Sequence, residues 1–394
     1  MKFIPRLIAK PIKDALRRGK SILLLGPRQT GKTTLIESEI KPDLTYTLVS
    51  ASTRQRYEKN PVLFESELLA EIERFPKPPI IYIDEVQKIP RIMDTVQQII
   101  DKKLAQFILT GSSARKLKHG AEINLLPGRV VSFTMPPFVP EEIRSLDLKL
   151  NDFLIYGSLP GIILERDKKS REIDLYSYVT TYLEDEIRSE AAVRNVGSFA
   201  RFLEIAAAEA GKQINFTRIS QDVGVADTTI ANYFQILEDC LIATRIDPIF
   251  KSASKRKLTK SAKYLFFDLG VRRLAARESV SMPTKILGEW FEHFVGNLLV
   301  NYSHLTLNRW QVKYWKDLAG PEIDFVLTSG DELIPIEVKY TDKPNLDDAR
   351  HLKKFLEEYS AAQHAYVICR VPKRLKLSGN ITALPWQDIH TLFE

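Results

Sequence analysis

The sequence predicts an α/β protein that begins with a doubly wound parallel sheet. Short apolar β-type runs alternate with helical patterns from Lys20 to Phe133, an order typical of parallel sheets. At 394 residues the chain is too long for one ordinary core, so further domains are expected. The expected strands are Ser21–Leu25, Tyr46–Val49, Ile80–Ile83, Phe107–Leu109 and Val130–Phe133.

Composition narrows the class of protein. An apolar content of 44% with 27% charged residues excludes a disordered chain. No apolar run approaches the roughly 20 residues that cross a bilayer, so we expect no membrane partner. Cys240 and Cys369 lack metal-ligand spacing and fit a reducing compartment, which makes a cytoplasmic location the default. The net charge of +7 is compatible with a polyanionic partner without requiring one.

A phosphate-binding loop follows the first expected strand. Residues Gly26 to Thr33 fit the pattern GxxxxGK[ST], and a helical run follows them. The glycines let backbone N–H groups surround phosphate oxygens at a helix N-terminus. We therefore predict bound ATP and Mg²⁺, with Lys32 at the β and γ phosphates and Thr33 at the metal. The expected nucleotide contacts are Gly26, Pro27, Arg28, Gln29, Thr30, Gly31, Lys32, Thr33, Thr34 and Thr110.

Two acids at the end of the third expected strand complete a hydrolytic site. Asp84 is expected to hold Mg²⁺, and Glu85 to polarise the attacking water. Alternatively, Glu85 is a surface acid that begins the next loop.

Two further elements are candidates for the transition state. Thr110 or Ser112, at the end of the fourth expected strand, is a candidate sensor of the γ-phosphate, or else part of an ordinary turn. Arg129 is a candidate arginine finger across a subunit boundary, which would require a homo-oligomer, or else a structural ion-pair partner.

These motifs carry a family resemblance. The segments GPRQTGKT, IIYIDEVQKIP, LTGSSA and LPGR stand in the order seen in AAA+ type ATPases common in archaea and some bacteria. The resemblance spans about Ile4 to Leu164. It implies ATP, Mg²⁺ and a finger near Arg129.

The middle of the chain predicts helices and a DNA-binding type of fold. Residues 138–210 read as a helical lid or connector, with Tyr176, Val179, Leu183 and Ile187 on one face. Residues 211–282 read as helix, turn, helix and strand, the order of a winged helix. Its second helix, Thr228 to Asp239, carries no Lys or Arg, so we expect nonspecific rather than sequence-specific contact with DNA. The expected phosphate contacts are Lys251, Lys255, Arg256, Lys257, Lys260 and Lys263. A solvated basic loop is the alternative.

A second candidate site lies in residues 283–394. Glu337 and Lys339 share one strand face, and a hairpin turn near Gly330 returns Asp324 beside them. With Glu292 these groups predict a Mg²⁺ site: Glu292, Asp324 and Glu337 as ligands, and Glu337 and Lys339 as catalytic groups.

This region resembles the restriction-endonuclease-like fold, in the version of long-unknown function that accompanies such ATPases. The acid, acid, ExK order maps onto Glu292, Asp324, Glu337 and Lys339 over about Pro283 to Leu384. Glu322 shares a face with Asp324, so either acid is a candidate ligand. Many proteins of this fold are inactive relics, so binding without cleavage is the alternative.

The complete prediction is an AAA+ P-loop parallel-sheet core (1–137), a helical lid (138–210), a winged helix (211–282) and a restriction-endonuclease-like α/β domain (283–394). The expected function is Mg²⁺-dependent ATP hydrolysis coupled to DNA contact or cleavage. The alternative is a nucleotide-switched protein-interaction ATPase with an inactive nuclease-like domain.

Overall fold

The structure is a computed structural model that describes residues 3–113, 115, 128–183, 196–249, 261–281, 284–317 and 320–394. These residues divide into two compact units. The first consists mainly of the chain up to Phe138, and the second mainly of the chain from Val139 onward.

The first unit is built on a five-stranded parallel sheet. The strand order is β2-β3-β4-β1-β5, so β4 lies between β1 and β3. The strands are β1 Ser21–Leu25, β2 Leu44–Thr47, β3 Ile80–Asp84, β4 Gln106–Gly111 and β5 Val130–Thr134. All five expected strands therefore exist, with shifted ends, because buried apolar runs bounded by turn residues mark strands better than they mark their limits.

Helices cover the sheet of the first unit. Phe64, Leu68 and Ile72 repeat at helical spacing and pack against Ile81 and Phe107 of the sheet. Pro61 begins that helix, where its missing N–H costs nothing. The helices are Ala9–Arg17, Lys32–Leu35 with a π-helical extension Ile36–Ile40, Ala51–Lys59, Pro61–Ile72 and Ile92–Asp101.

The second unit begins with helices. They are Leu150–Tyr156, Pro160–Ile163, Lys168–Ser177 with a π-helical extension Tyr178–Leu183, and Val196–Ala208. Only part of the helix face expected for this region is buried: Val179 is buried, whereas Tyr176 is 62% exposed. Ile187, the last residue of that expected face, lies outside the described residues.

A helix–turn–helix and a two-stranded sheet follow. The helices Phe216–Val223 and Asp227–Asp239 are separated by Gly224, which adopts the left-handed conformation that ends a helix. Strands β6 Ala243–Ile246 and β7 Lys263–Phe266 pair antiparallel. Lys263 thus begins a buried strand and is not part of an exposed loop.

The chain ends in a mixed six-stranded sheet with order β12-β13-β11-β10-β9-β8. The expected β9/β10 hairpin is present, with Glu332 opposite Ser329. Tyr314 and Trp315 are fully buried and belong to the core. The strands are β8 Gln311–Lys316, β9 Glu322–Ser329, β10 Glu332–Val338, β11 Ala365–Cys369, β12 Leu375–Ser378 and β13 Ile381–Pro385; the helices are Leu269–Ala275, Thr284–Leu305 and Arg350–Glu358.

Among the described residues, no helix is both long enough and apolar enough to span a membrane.

Candidate functional site

The loop after β1 requires glycine at two points. Gly31 has a φ of 92°, a conformation that strains any residue with a side chain. A Cβ added to Gly26 would lie 2.6 Å from the carbonyl oxygen of Met135. Both positions therefore require glycine, in agreement with the loop that the sequence pattern predicts, and phosphate binding by this loop stays a prediction.

Lys32 lies inside the curve of this loop. Its Nζ donates hydrogen bonds to the carbonyl oxygens of Gly26, at 2.7 Å, and Pro27, at 3.0 Å. The side chain is buried although it is charged. An ammonium group held by carbonyl oxygens within a phosphate-binding loop is positioned to meet an incoming phosphate.

A buried arginine fastens the loop, and sequence reasoning missed it. Arg6 donates from Nη1 to the carbonyl oxygen of Thr30 at 2.7 Å and from Nη2 to that of Pro136 at 2.7 Å. Its guanidinium also lies 4.7 Å from the ring centroid of Phe138. Because a single arginine before the first helix has no distinguishing pattern, nothing in the sequence marked it.

The strand order places Thr110, a predicted γ-phosphate sensor, beside Asp84, the acid predicted to bind Mg²⁺. Thr110 on β4 donates from Oγ1 to Asp84 Oδ1 at 2.6 Å, and the same oxygen accepts a hydrogen bond from Tyr82 Oη at 2.8 Å. Burial raises the pKa of the Tyr82 phenol, and the nearby Asp84 charge raises it further. The phenol therefore stays protonated and donates. Tyr82 lies two residues before Asp84 in β3, so the two side chains lie on the same face of the strand. This spacing is visible in the sequence and could have identified Tyr82 as a neighbour of Asp84.

Glu85 is held by two neutral donors. Its Oε2 accepts from Gln87 Nε2 at 2.5 Å and from Ser112 Oγ at 2.9 Å. Glu85 has a φ of 57°, a left-handed conformation that is rare for this residue type and concentrates at functional sites. Thr110 and Ser112, offered as alternative sensors, each contact a different acid: Thr110 holds Asp84 and Ser112 holds Glu85.

Gln87 is the second residue that sequence reasoning missed. Its side chain is fully buried, and Nε2 also donates to Ser112 Oγ at 3.1 Å. A glutamine two residues after Glu85 matches no sequence motif. Its hydrogen bond to Glu85 is visible only in the structure, where the turn after β3 brings the two side chains together.

The donors at this edge suit Mg²⁺ bound together with a nucleotide. Mg²⁺ usually takes one or two carboxylates, hydroxyl or water ligands and substrate phosphates. Thr33, exposed beside the loop, and Asp84 supply such oxygens. In the described part of the chain, no three His, Cys, Asp or Glu side chains form a metal-binding group.

Arg129 lies at the opposite edge of the sheet from the loop. Val130 pairs with Ser21, the first residue of β1, whereas the loop follows Leu25, about 13 Å further along the strand. Arg129 forms two hydrogen bonds with Asp101, of 2.6 and 3.0 Å, which lower the pKa of Asp101. Within its own chain Arg129 is an ion-pair partner, and the finger stays a prediction that requires a second chain.

The second predicted site is held together by lysines. Val338 donates its backbone N–H to Asp324 Oδ2 at 2.8 Å, which fixes the β9 acid beside the end of β10. Lys339 Nζ lies 2.6 Å from Glu337 Oε1. The other carboxylate oxygen of Glu337, Oε2, is buried and has no hydrogen-bond partner among the described residues. The predicted residues Asp324, Glu337 and Lys339 are thus together.

Glu292 joins the same group through Lys263. Lys263 Nζ lies 3.3 Å from Glu292 Oε1 and 2.8 Å from Glu322 Oε1, and its side chain is only 4% exposed. Burial, followed by the Asp324 charge, raises the pKa of Glu292 to about 7 and that of Glu337 to about 8. Both acids are therefore easier to protonate than ordinary carboxylic acids.

The expectation that Lys263 neutralises phosphate is wrong. Lys263 begins the buried strand β7, and its ammonium group is buried against carboxylates. It cannot contact a polyanion from this position. The remaining members of the basic tract, Lys251, Lys255, Arg256, Lys257 and Lys260, lie outside the described residues.

Comparisons with protein families divide the chain into three segments. Residues 18–144 match the AAA domain family. Residues 147–280 and 287–389 match two domains of unknown function, DUF8612 and DUF4143. With the loop and strand geometry, the first match supports a P-loop AAA-type ATPase domain and, through it, ATP hydrolysis.

Two of the relatives are described only as uncharacterized proteins. An uncharacterized protein of Mycobacterium tuberculosis, Rv2008c, is 25% identical over 97% of this chain and 84% of its own length. The uncharacterized protein MJ1637 of Methanocaldococcus jannaschii is 25% identical over 93% of this chain and 83% of its own length.

Two solved structures show distant likeness. The Walker-type ATPase PABY2304 of Pyrococcus abyssi is 13% identical with a TM-score of 0.48, over 68% of this chain and 94% of that chain. A signal transduction ATPase of the STAND type, PH0952 from Pyrococcus horikoshii, is 15% identical with a TM-score of 0.27, over 77% of this chain and 47% of that chain. Likeness at these TM-scores carries no functional argument.

Proposed function

We propose that the chain binds ATP with Mg²⁺ and hydrolyses it at the edge of the parallel sheet. The observation that carries this proposal is the acid pair Asp84 and Glu85, one held by Thr110 and the other by Ser112 and Gln87. The hydroxyl of Thr110 lies on β4, and that of Ser112 lies directly after β4. Strand β4 lies between β3 and β1, the strand that precedes the phosphate-binding loop.

Binding is assigned to the loop and the first turn of its helix. The backbone N–H groups of the loop, which Pro27 lacks, would surround the phosphates, and Lys32 would leave the carbonyl oxygens of Gly26 and Pro27 to meet the β and γ phosphates. Mg²⁺, bound by Thr33, Asp84 and phosphate oxygens, would neutralise charge on the transferring phosphoryl group. Arg28, Gln29 and Thr34 are assigned to the same contact surface.

Glu85 is assigned the role of general base. The attacking water needs an acceptor within hydrogen-bond reach, and a carboxylate held by hydroxyl and amide donors keeps its charge and its direction. Gln87 and Ser112 act on this step as positioning residues, because both donate hydrogen bonds to the Glu85 carboxylate. Thr110 has the same relation to Asp84.

The later domains are proposed to bind partners and not to cut them. The helix pair with its two-stranded sheet has the element order of a winged helix, and residues 283–394 have the acid and ExK order of restriction-endonuclease-like proteins. A nuclease of that type needs carboxylates available to a metal ion. Here Lys263 and Lys339 are bound to those carboxylates, which favours a nuclease-like domain without cleavage.

Nonspecific DNA is the partner we propose for the second unit. The support is the basic run from Lys251 to Lys260, five basic residues with no acid among them. A protein partner is the competing proposal, since the helix Asp227–Asp239 carries no basic residue with which to read bases.

One experiment separates these functions. Mg²⁺-dependent ATP turnover by the full chain is measured alone, with duplex DNA and with single-stranded DNA, and the nucleic acid is then examined for cuts. The proposal expects turnover in all samples, faster turnover with DNA that weakens with salt, and no cleavage with Mg²⁺ or Mn²⁺. Turnover indifferent to DNA would leave the ATPase proposal standing and exclude DNA coupling, whereas absence of turnover would exclude the ATPase itself.

A further inference from the structure

The acid cluster of the second unit contains a buried ammonium group at its centre. The cluster consists of Glu292 on a helix, Glu322 and Asp324 on β9, and Glu337 on β10. Lys263 comes from β7, well outside the segment that supplies the acids. Its Nζ makes ion pairs with two of them, Glu322 at 2.8 Å and Glu292 at 3.3 Å.

Lys263 is firmly held in this position. Its backbone pairs with Ile246 across the β6/β7 ladder and bridges to Gln213. Its ammonium lies 5.0 Å from the ring centroid of Tyr314, which is itself fully buried. Such a side chain is not a mobile surface lysine that happens to touch an acid.

The Lys263 ammonium lies at hydrogen-bond distance from the nearest carboxylate oxygens of Glu292 and Glu322 and occupies the place between them. Mg²⁺ and Ca²⁺ draw carboxylate oxygens to about 2.0–2.6 Å, whereas N–H···O bonds leave nitrogen and oxygen about 2.7–3.2 Å apart. A divalent ion at the same oxygens would be in contact with the Lys263 ammonium, and repulsion between the two cations would oppose its binding. Consistent with this, the described residues contain no group of three acids or histidines set to hold a metal.

The cluster still has the character of a cation site. Glu337 is 6% exposed, and within the described part of the chain its Oε2 has no hydrogen-bond partner. Lys316 contacts Glu322 from the outer side, with Nζ 2.8 Å from Oε2, and is about a third exposed. The acids thus converge strongly enough to need compensation, and Lys263 supplies the buried part of it.

We infer that Lys263 takes the position of a divalent metal ion in this acid cluster, so that the second unit is metal-independent as it stands and gains a metal site when the ammonium is removed. This inference concerns only the second unit and does not depend on ATP hydrolysis.

The test is Mn²⁺ binding to the nucleotide-free full chain, measured by electron paramagnetic resonance and calorimetry. Lys263→Met keeps most of the side-chain volume and removes the charge. We expect it to gain one bound Mn²⁺ per chain, while the wild type shows no Mn²⁺ that depends on Asp324. Lys316→Met is the matched control: it also removes a lysine from Glu322, but from the exposed side, and should gain no ion.

Two further variants assign the ion. The gained Mn²⁺ should disappear in the double variant Lys263→Met/Asp324→Asn. Failure of Lys263→Met to gain an ion, or a gain that persists in the double variant, would overturn the inference.

If Lys263→Met does not fold, Mn²⁺ binding by the wild type, compared with Asp324→Asn, tests the inference. One Mn²⁺ bound by the wild type and lost in Asp324→Asn would overturn the inference. Identical Mn²⁺ binding by the wild type and Asp324→Asn would support it.

Discussion

The two acidic sites of this chain differ in what holds their carboxylates. At the end of β3, Asp84 and Glu85 accept hydrogen bonds only from hydroxyl and amide groups among the contacts described above. In the second unit, Lys263 and Lys339 form ion pairs with the acids. Neutral donors orient a carboxylate and leave its charge available to a metal ion or a water molecule, whereas a buried ammonium group compensates that charge. Acid patterns that look alike in sequence can therefore have opposite chemistry.

Removing the positive charge of Lys32 from the first site should have the largest effect on activity. Lys32→Ala removes the ammonium group that is assigned to the β and γ phosphates. We expect ATP turnover to fall by at least about a hundredfold, as when a preorganised transition-state donor is removed. Steady-state phosphate release measures this effect. Lys13→Ala, which removes a more exposed lysine paired with Glu39, should retain turnover, and turnover retained by Lys32→Ala would contradict the assignment.

The corresponding change in the second unit should affect stability. Lys263→Met leaves the acid cluster without its buried cation, a loss of about 3–5 kcal/mol for breaking a buried pair. All four tryptophans lie beyond Val139, so urea unfolding followed by tryptophan fluorescence reports on the second unit. Lys316→Met, at a more exposed pair, should cost about 1 kcal/mol or less. Equal losses in the two variants would show that burial of Lys263 has no special role.

The hydroxyls that orient the first acid pair should have smaller effects. Thr110→Val keeps the shape of the side chain and removes the hydrogen bond to Asp84. We expect turnover to fall about tenfold, which corresponds to one hydrogen bond to a charged group. Thr45→Val, at an exposed threonine of β2, is the matched control. An unchanged rate in Thr110→Val would mean that Asp84 does not need this contact.

Arg129 should have the smallest effect. Its ion pair with Asp101 is half-exposed, so Arg129→Ala should leave turnover nearly unchanged at every protein concentration. A finger acting from a second chain would instead lose about a thousandfold or more, and only where the chains associate. Turnover measured across a dilution series distinguishes the two.

The sequence predicted the first site better than the second because its information is local. The loop and the acids of β3 each carry a pattern within a few residues, and alternation also relates Tyr82 to Asp84. The contacts of Gln87 and Arg6 depend on the turn after β3 and on a distant loop, which no local pattern records. Thr110 reaches Asp84 only because β4 lies between β1 and β3, an order that the sequence does not state.

In the second unit the decisive group came from another segment. The acids and the ExK motif were predicted from residues 283–394, and the hairpin does bring Asp324 beside Glu337. Lys263 was assigned to an exposed basic tract, because its neighbours in sequence are lysines and arginines. Its burial depends on the long-range pairing of β7, which reverses its role from phosphate contact to internal ion pair.

The most direct test of the account is Glu85→Gln, with ATP binding and turnover measured on the same preparation. The amide keeps the shape of the side chain and cannot accept the proton of the attacking water. We predict an ATP affinity close to that of the wild type and a loss in turnover of about a hundredfold or more. Glu37→Gln, at an exposed acid after the loop, should retain both properties. Turnover at the wild-type rate in Glu85→Gln would contradict the assignment of hydrolysis to this acid pair.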